Sequence, residues 1–218
     1  MLLTYLPALL TGLGMTLLIT FLSITFGTIG GIFLGVLSFM NSPLRVLVRI
    51  YIEIFLGIPV LVLLIWVYYV LPEISQSLII SSFWTAVLAM SLSASAFIAE
   101  IINGGLRSVP KGQMDAALIL GISKLQAVLR IVLPQSVRIM WPAIIMQYIT
   151  IYKLVPLAST IGVMEILHTG GLIIHKTYAP ITVYTIIAIF FLATVYPLNV
   201  LARSIQRRHS RSDLLNGV

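Results

Sequence analysis

Few side chains in this chain are suited to chemistry, and most of them stand alone in apolar surroundings. Glu100 sits deep in an apolar run, where an ionisable group is costly and faces a cavity or a partner. Glu165 is the only acid between Lys153 and Pro180, and a carboxylate can hold an ammonium group through charge-assisted hydrogen bonds. Ser91, Ser93 and Ser95 alternate along one apolar run. Their hydroxyls either bond back to carbonyls of their own helix or line a polar path. Pro59 removes a backbone hydrogen bond from another apolar run, and the carbonyls freed by such a kink can line a cavity. His168 and His175 are spaced wider than the three to five residues that zinc ligands on a helix favour, so no metal site is expected. No phosphate-binding Gly-rich Lys loop, no Ser-His-Asp arrangement and no paired intramembrane carboxylates occur. No catalytic residue and no bound cofactor are therefore expected on this chain.

A different kind of site lies between the apolar runs. Residues 112–121 form a polar, amphipathic island, and Leu133-Pro134 closes the stretch that follows. Small Ala116 and Ala117 let a short helix approach another backbone closely. Gly121 permits a turn out of that helix, and Pro134 is suited to begin the next one. Met114, Leu118 and Leu125 recur at helical spacing, as on a face that fits a groove. The same pattern also suits a helix lying on a membrane surface.

The elements that must hold these residues are membrane helices. The 218 residues are 60% hydrophobic and only 9% charged, against roughly a quarter charged in a soluble domain. Five spans of roughly 20 apolar residues are expected in a single domain, at about 9–40, 48–71, 82–104, 134–153 and 181–201. The polar loop then covers about 107–133. The first run is long enough as helix for its early part to lie along the interface, and it reads as a retained span rather than a cleaved signal. It should end at Asn41-Ser42-Pro43, and the second span at Pro72. The interval 155–180 is too polar for a span and reads as a re-entrant or interfacial piece. Gly27, Gly31 and Gly35 repeat at every fourth position and suit close helix packing.

The net charge of +7 comes from basic residues between and after the apolar runs, which points to membrane orientation rather than nucleic acid. Arg45, Arg49, Arg107, Lys111, Lys124, Arg130 and the tail residues Arg203, Arg207, Arg208 and Arg211 mark the cytoplasmic side. The amino terminus is then expected outside and the carboxyl terminus inside. Glu53 is placed to pair with Arg49, and Glu100 with Arg107 or a neighbouring helix.

Four blocks carry a resemblance. Asp115-Ala116-Ala117, Gly121 and Leu133-Pro134 resemble the "EAA" loop of ABC-transporter permeases. Residues 51–62, 99–113 and 157–165 are similar, in order, to further signatures of the polar amino-acid importers. The resemblance implies an all-α, type I importer transmembrane domain of five spans with a cytoplasmic coupling helix, in the inner membrane. It implies that Lys111, Gly112, Gln113, Met114, Asp115, Ala116, Ala117, Gly121, Leu133 and Pro134 dock an ATPase subunit. Expected partners are two ATP-binding cassette subunits carrying ATP and magnesium, a second permease subunit (identical or paralogous) and an extracytoplasmic binding protein. Glu165, Ser159, Ser95, Glu100 and Pro59 form the candidate substrate-contact set. Leu56, Asn103 and Leu154-Val155-Pro156 depart from the family pattern, which has Arg, Arg and Asp-Thr-Ser there. A secondary transporter, a channel or a membrane-embedded enzyme is the alternative, separable by whether an ATPase subunit copurifies.

Overall fold

The apolar runs fold as helices because a backbone in lipid must satisfy its own hydrogen bonds. A computed structural model describes residues 2–40, 43–75 and 78–215, with no strand among them. Asn41 and Ser42, at the expected end of the first span, lie outside the described residues, as do the side chains of Arg207, Arg208, His209 and Arg211.

The first helix, α1 (Leu2–Phe39), runs unbroken over its whole length. It lies along α5 (Ser82–Ser108), the most enclosed helix of the bundle. Glycine makes this approach possible. A Cβ on Gly27 would sit 2.6 Å from Ala94 Cβ, on Gly31 2.6 Å from Ile98 Cβ, and on Gly35 2.9 Å from Ala99 O. Hydroxyls tie the remaining helices across the bundle. Tyr51 OH lies 2.7 Å from Ser95 Oγ, Thr28 Oγ1 2.8 Å from Tyr148 OH, and Tyr152 OH 2.9 Å from Thr194 Oγ1.

The expected second span is not a kinked helix. It breaks into α2 (Leu44–Gly57) and a segment of α3 (Val60–Ile65), a π turn (Trp66–Val70) and α4 (Leu71–Ile74), bent by 102°. Ile58 and Pro59 take extended ψ values of 122° and 135°, so the chain leaves the helix altogether. Pro72 does not end this segment either. The π turn just before it widens the backbone where the proline ring would strike a carbonyl, and the helix continues to Ile74.

The same device corrects the expected start of the fourth span. Helix α7 (Lys124–Ala127) passes through a π turn (Val128–Val132), directly before Pro134, into α8 (Leu133–Leu154). The helix therefore begins ten residues before Pro134, inside the stretch read as loop. A 3₁₀ turn (Val155–Ile161) and α9 (Ile166–Thr177) follow, and α10 (Pro180–Leu215) closes the chain. Among the described residues, four helices are long and apolar enough to cross a membrane, or five if the bent pair counts as one span.

Candidate functional site

Between α5 and α7 the polar island folds as α6 (Lys111–Ile119), a nine-residue helix. Its end is built by hydrogen bonds. Gly121 N–H donates to Leu118 O at 3.0 Å and Ile122 N–H to Ala117 O at 3.1 Å, the paired closure of a Schellman motif. That closure needs a left-handed residue, and Gly121 has φ +77°. Ser123 then caps α7 by accepting from Gln126 N–H at 3.4 Å.

The two alanines divide the work. Ala117 is buried against the bundle, whereas Ala116 is exposed with Lys111, Gly112, Gln113 and Asp115. Met114 packs inward against the cluster around Leu106 and Val132, so it does not share the outward face with Leu118 and Leu125. Sequence reasoning missed the outward tip. Ile119 is 85% exposed and Leu120 79%, and with Leu118 they form three consecutive apolar residues facing out beside the Gly121 turn. The signal was a run of apolar residues directly before a turn glycine, and a face exposed this way marks an interaction surface. Leu133 is half-buried and Pro134 exposed, within the continuous helix rather than at its start.

The candidate substrate residues fall on several different elements. Glu100 is exposed on α5 and makes no hydrogen bond or ion pair among the described residues; Arg107 Nε instead donates to Asn103 Oδ1 at 3.1 Å. The expected Arg49–Glu53 pair is also absent, with both side chains exposed on α2. Ser159 lies half-buried in the 3₁₀ turn, and Pro59 is exposed at the break after α2. Ser95 is buried and links two helices. Its hydroxyl meets Tyr51 OH and donates to Leu92 O at 2.8 Å, joining α2 to α5. Ser91 Oγ likewise donates to its own helix at Val87 O.

Glu165 has a defined structural role. It is fully buried and caps α9, with Oε2 accepting from Leu167 N–H at 3.0 Å and Oε1 from His168 N–H at 2.7 Å. Thr16 of α1 accepts the preceding donor, Ile166 N–H, at 3.2 Å. A buried helix start must satisfy its orphan N–H groups, and these two side chains do so, which leaves neither Glu165 oxygen facing a solute. It pairs with neither Lys153 nor Lys176.

Burial pushes the Glu165 carboxyl up from 4.5 to about 6, against the opposing pull of the two N–H donors. The folded state therefore holds this proton more tightly than the unfolded one. Stability from this residue is fully present below pH about 4.5 and is lost as pH rises through about 6, a change of about 2 kcal/mol. Glu165→Gln keeps one acceptor and cannot ionise. The gap between wild-type and variant melting temperatures in detergent should therefore shift toward the variant between pH 4.5 and 6.5. Parallel curves across that range would remove the assignment.

Comparison with known proteins places this architecture. The family described as "Binding-protein-dependent transport system inner membrane component" matches residues 27–212. The probable amino-acid permease protein YxeN of Bacillus subtilis is 32% identical, over 94% of this chain and 92% of its own. The glutamine transport system permease protein GlnP of Escherichia coli K12 is 30% identical over 93% of both chains. Among solved structures, an amino acid ABC transporter crystallised with histidines aligns with a TM-score of 0.86 and 30% identity, over 95% of this chain and 96% of its own. The MetNI methionine ABC transporter in an inward-facing conformation aligns at 0.74 with 22% identity over 93% and 98%, a likeness of fold alone. The overall fold is shared over nearly the full chain, and the protein belongs to the binding-protein-dependent transport system inner membrane component family.

Proposed function

We propose that this chain is the permease subunit of an ATP-driven importer for a polar amino acid, one transmembrane half that moves solute and hydrolyses nothing itself. The observation that carries the reading is α6: a short helix with a capped end and an exposed apolar tip, placed where two spans end. Such a helix suits a cleft in a partner, and ATP binding between two ATP-binding cassette subunits would move it as a rigid lever on the spans. ATP and magnesium belong to those subunits, and no cofactor is needed on this chain. The second half is an identical or paralogous permease, and an extracytoplasmic binding protein delivers the solute. The family and the amino-acid permeases among its relatives support this reading over a channel, a secondary transporter or a membrane enzyme.

Two measurements test it. Purified with its ATPase subunits and reconstituted, the complex should take up a polar amino acid only with ATP inside reach of those subunits; uptake driven by an ion gradient alone would end the proposal. The distribution of basic residues supports a cytoplasmic α6, with the amino terminus outside and the carboxyl terminus inside. A cysteine at exposed Gln113 should then react only with reagents on the cytoplasmic side, and one at exposed Lys176 only from outside. The reverse pattern in intact cells would invert the topology and detach α6 from any cytoplasmic ATPase.

A further inference from the structure

The first turns of α6 help line a cleft of about 440 Å³. Arg107 from the end of α5, Lys111 from the start of α6 and Lys124 from α7 all line it, with Asp115 as the one carboxylate among its lining residues. Most of the remaining lining is an apolar wall that includes Phe39, Leu106 and Met114. The candidate spans Thr4–Phe39 and Ser82–Ser108 both end at this cleft, so it lies at the level of the membrane interface rather than in the bilayer core.

We propose that the cleft binds the phosphate headgroup of an anionic phospholipid, with the acyl chains leaving along the apolar wall. Three cations around one space repel one another, and a single carboxylate does not balance them; an anion does. Arg107 uses Nε on Asn103, which leaves the terminal guanidinium nitrogens as donors. Basic pockets between helices on the cytoplasmic side of a membrane hold anionic headgroups, and the apolar wall beside the charges favours a lipid over a free ion. Because the cations come from three successive helices, a bound headgroup would strap α6 to α5 and α7 and stiffen the lever. The inference rests on the cytoplasmic placement of α6 proposed above.

The test uses the purified permease in nanodiscs of phosphatidylcholine with phosphatidylglycerol, read by native mass spectrometry of retained lipid. Wild-type protein should retain phosphatidylglycerol over phosphatidylcholine. Lys124→Ala and Arg107→Gln should each lower that retention about five-fold. Lys124→Arg should restore it, which separates lost charge from misfolding. Equal retention of both lipids by the wild type, or unchanged retention in both variants, would overturn the site. Two further results would also overturn it: release by millimolar inorganic phosphate, which marks a free-anion site, and displacement by the ATPase subunits, which marks a protein site. Lipid failure alongside ATP-driven uptake leaves the transport reading intact; lipid retention without such uptake removes that reading alone.

Discussion

Gly31→Leu is expected to abolish recovery of folded protein from the membrane, while Gly14→Leu leaves it unchanged. A Cβ at position 31 would lie 2.6 Å from both Cβ and Cγ2 of Ile98 and 3.1 Å from Ser95 O. Ile98 is itself fully buried, so its branched side chain has nowhere to move. Overpacking a close-packed interior costs about 1–3 kcal/mol for small additions, and a leucine adds four carbons against a helix backbone. In lipid, helices associate largely through such close packing, so little else compensates when α1 is pushed from α5. Gly14 is exposed and a Cβ there meets nothing within 4 Å, which makes it the control on the same helix. The check is monodisperse protein after detergent extraction, with the melting temperature of whatever is recovered. Gly31→Leu protein that extracts and melts like the wild type would refute the packing argument.

Gly121→Val should remove transport by more than ten-fold while barely changing stability. The cause is the backbone rather than a clash, since a Cβ at 121 meets nothing within 4 Å. At φ +77° an L-residue costs roughly 1–2 kcal/mol, and a β-branched one is a stronger outlier. Relieving that strain breaks the paired hydrogen bonds from Gly121 and Ile122 and swings the Leu118-Ile119-Leu120 tip away from its set direction. The bundle hardly notices, because α6 packs only at its edge, but a lever whose tip is misdirected no longer couples. Gly121→Asn should recover much of the activity, because asparagine tolerates the left-handed region. ATP-driven uptake and ATPase rate of the reconstituted complex are the readouts. Normal uptake by Gly121→Val, or no difference between the valine and asparagine variants, would release this turn from coupling.

Local signals carried the broad plan. Apolar runs of membrane length, a polar island with Gly121 where a helix must turn, and small residues repeated on one face of α1 each depend on neighbours within a few positions. Those features translate into helices, a capped α6 and a close α1–α5 contact without reference to the rest of the chain. Their inner and outer faces were less legible. Ala116 and Ala117 are identical in type, and only the position of the bundle behind them decides that one is buried and the other exposed.

Where partners come from far along the chain, sequence reasoning went astray. Glu165 caps its own helix through the nearby Leu167 and His168 N–H groups. It still looks like the acid of a solvated loop until α1 packs against that helix start, with Thr16 on the Ile166 N–H, and buries it. Ser95 looks like a path-lining hydroxyl until Tyr51 reaches it from α2. The chain by itself determined that this is a multi-span helical protein with one short polar helix between spans, because hydropathy and turn chemistry act locally. Only the tertiary structure decided that the second apolar run bends by 102°, that the helix begun by α7 continues through Pro134 in α8, and which polar groups are already partnered. A buried polar group takes whichever partner the packing of distant helices brings within 3 Å or so, and no short window of sequence contains that information.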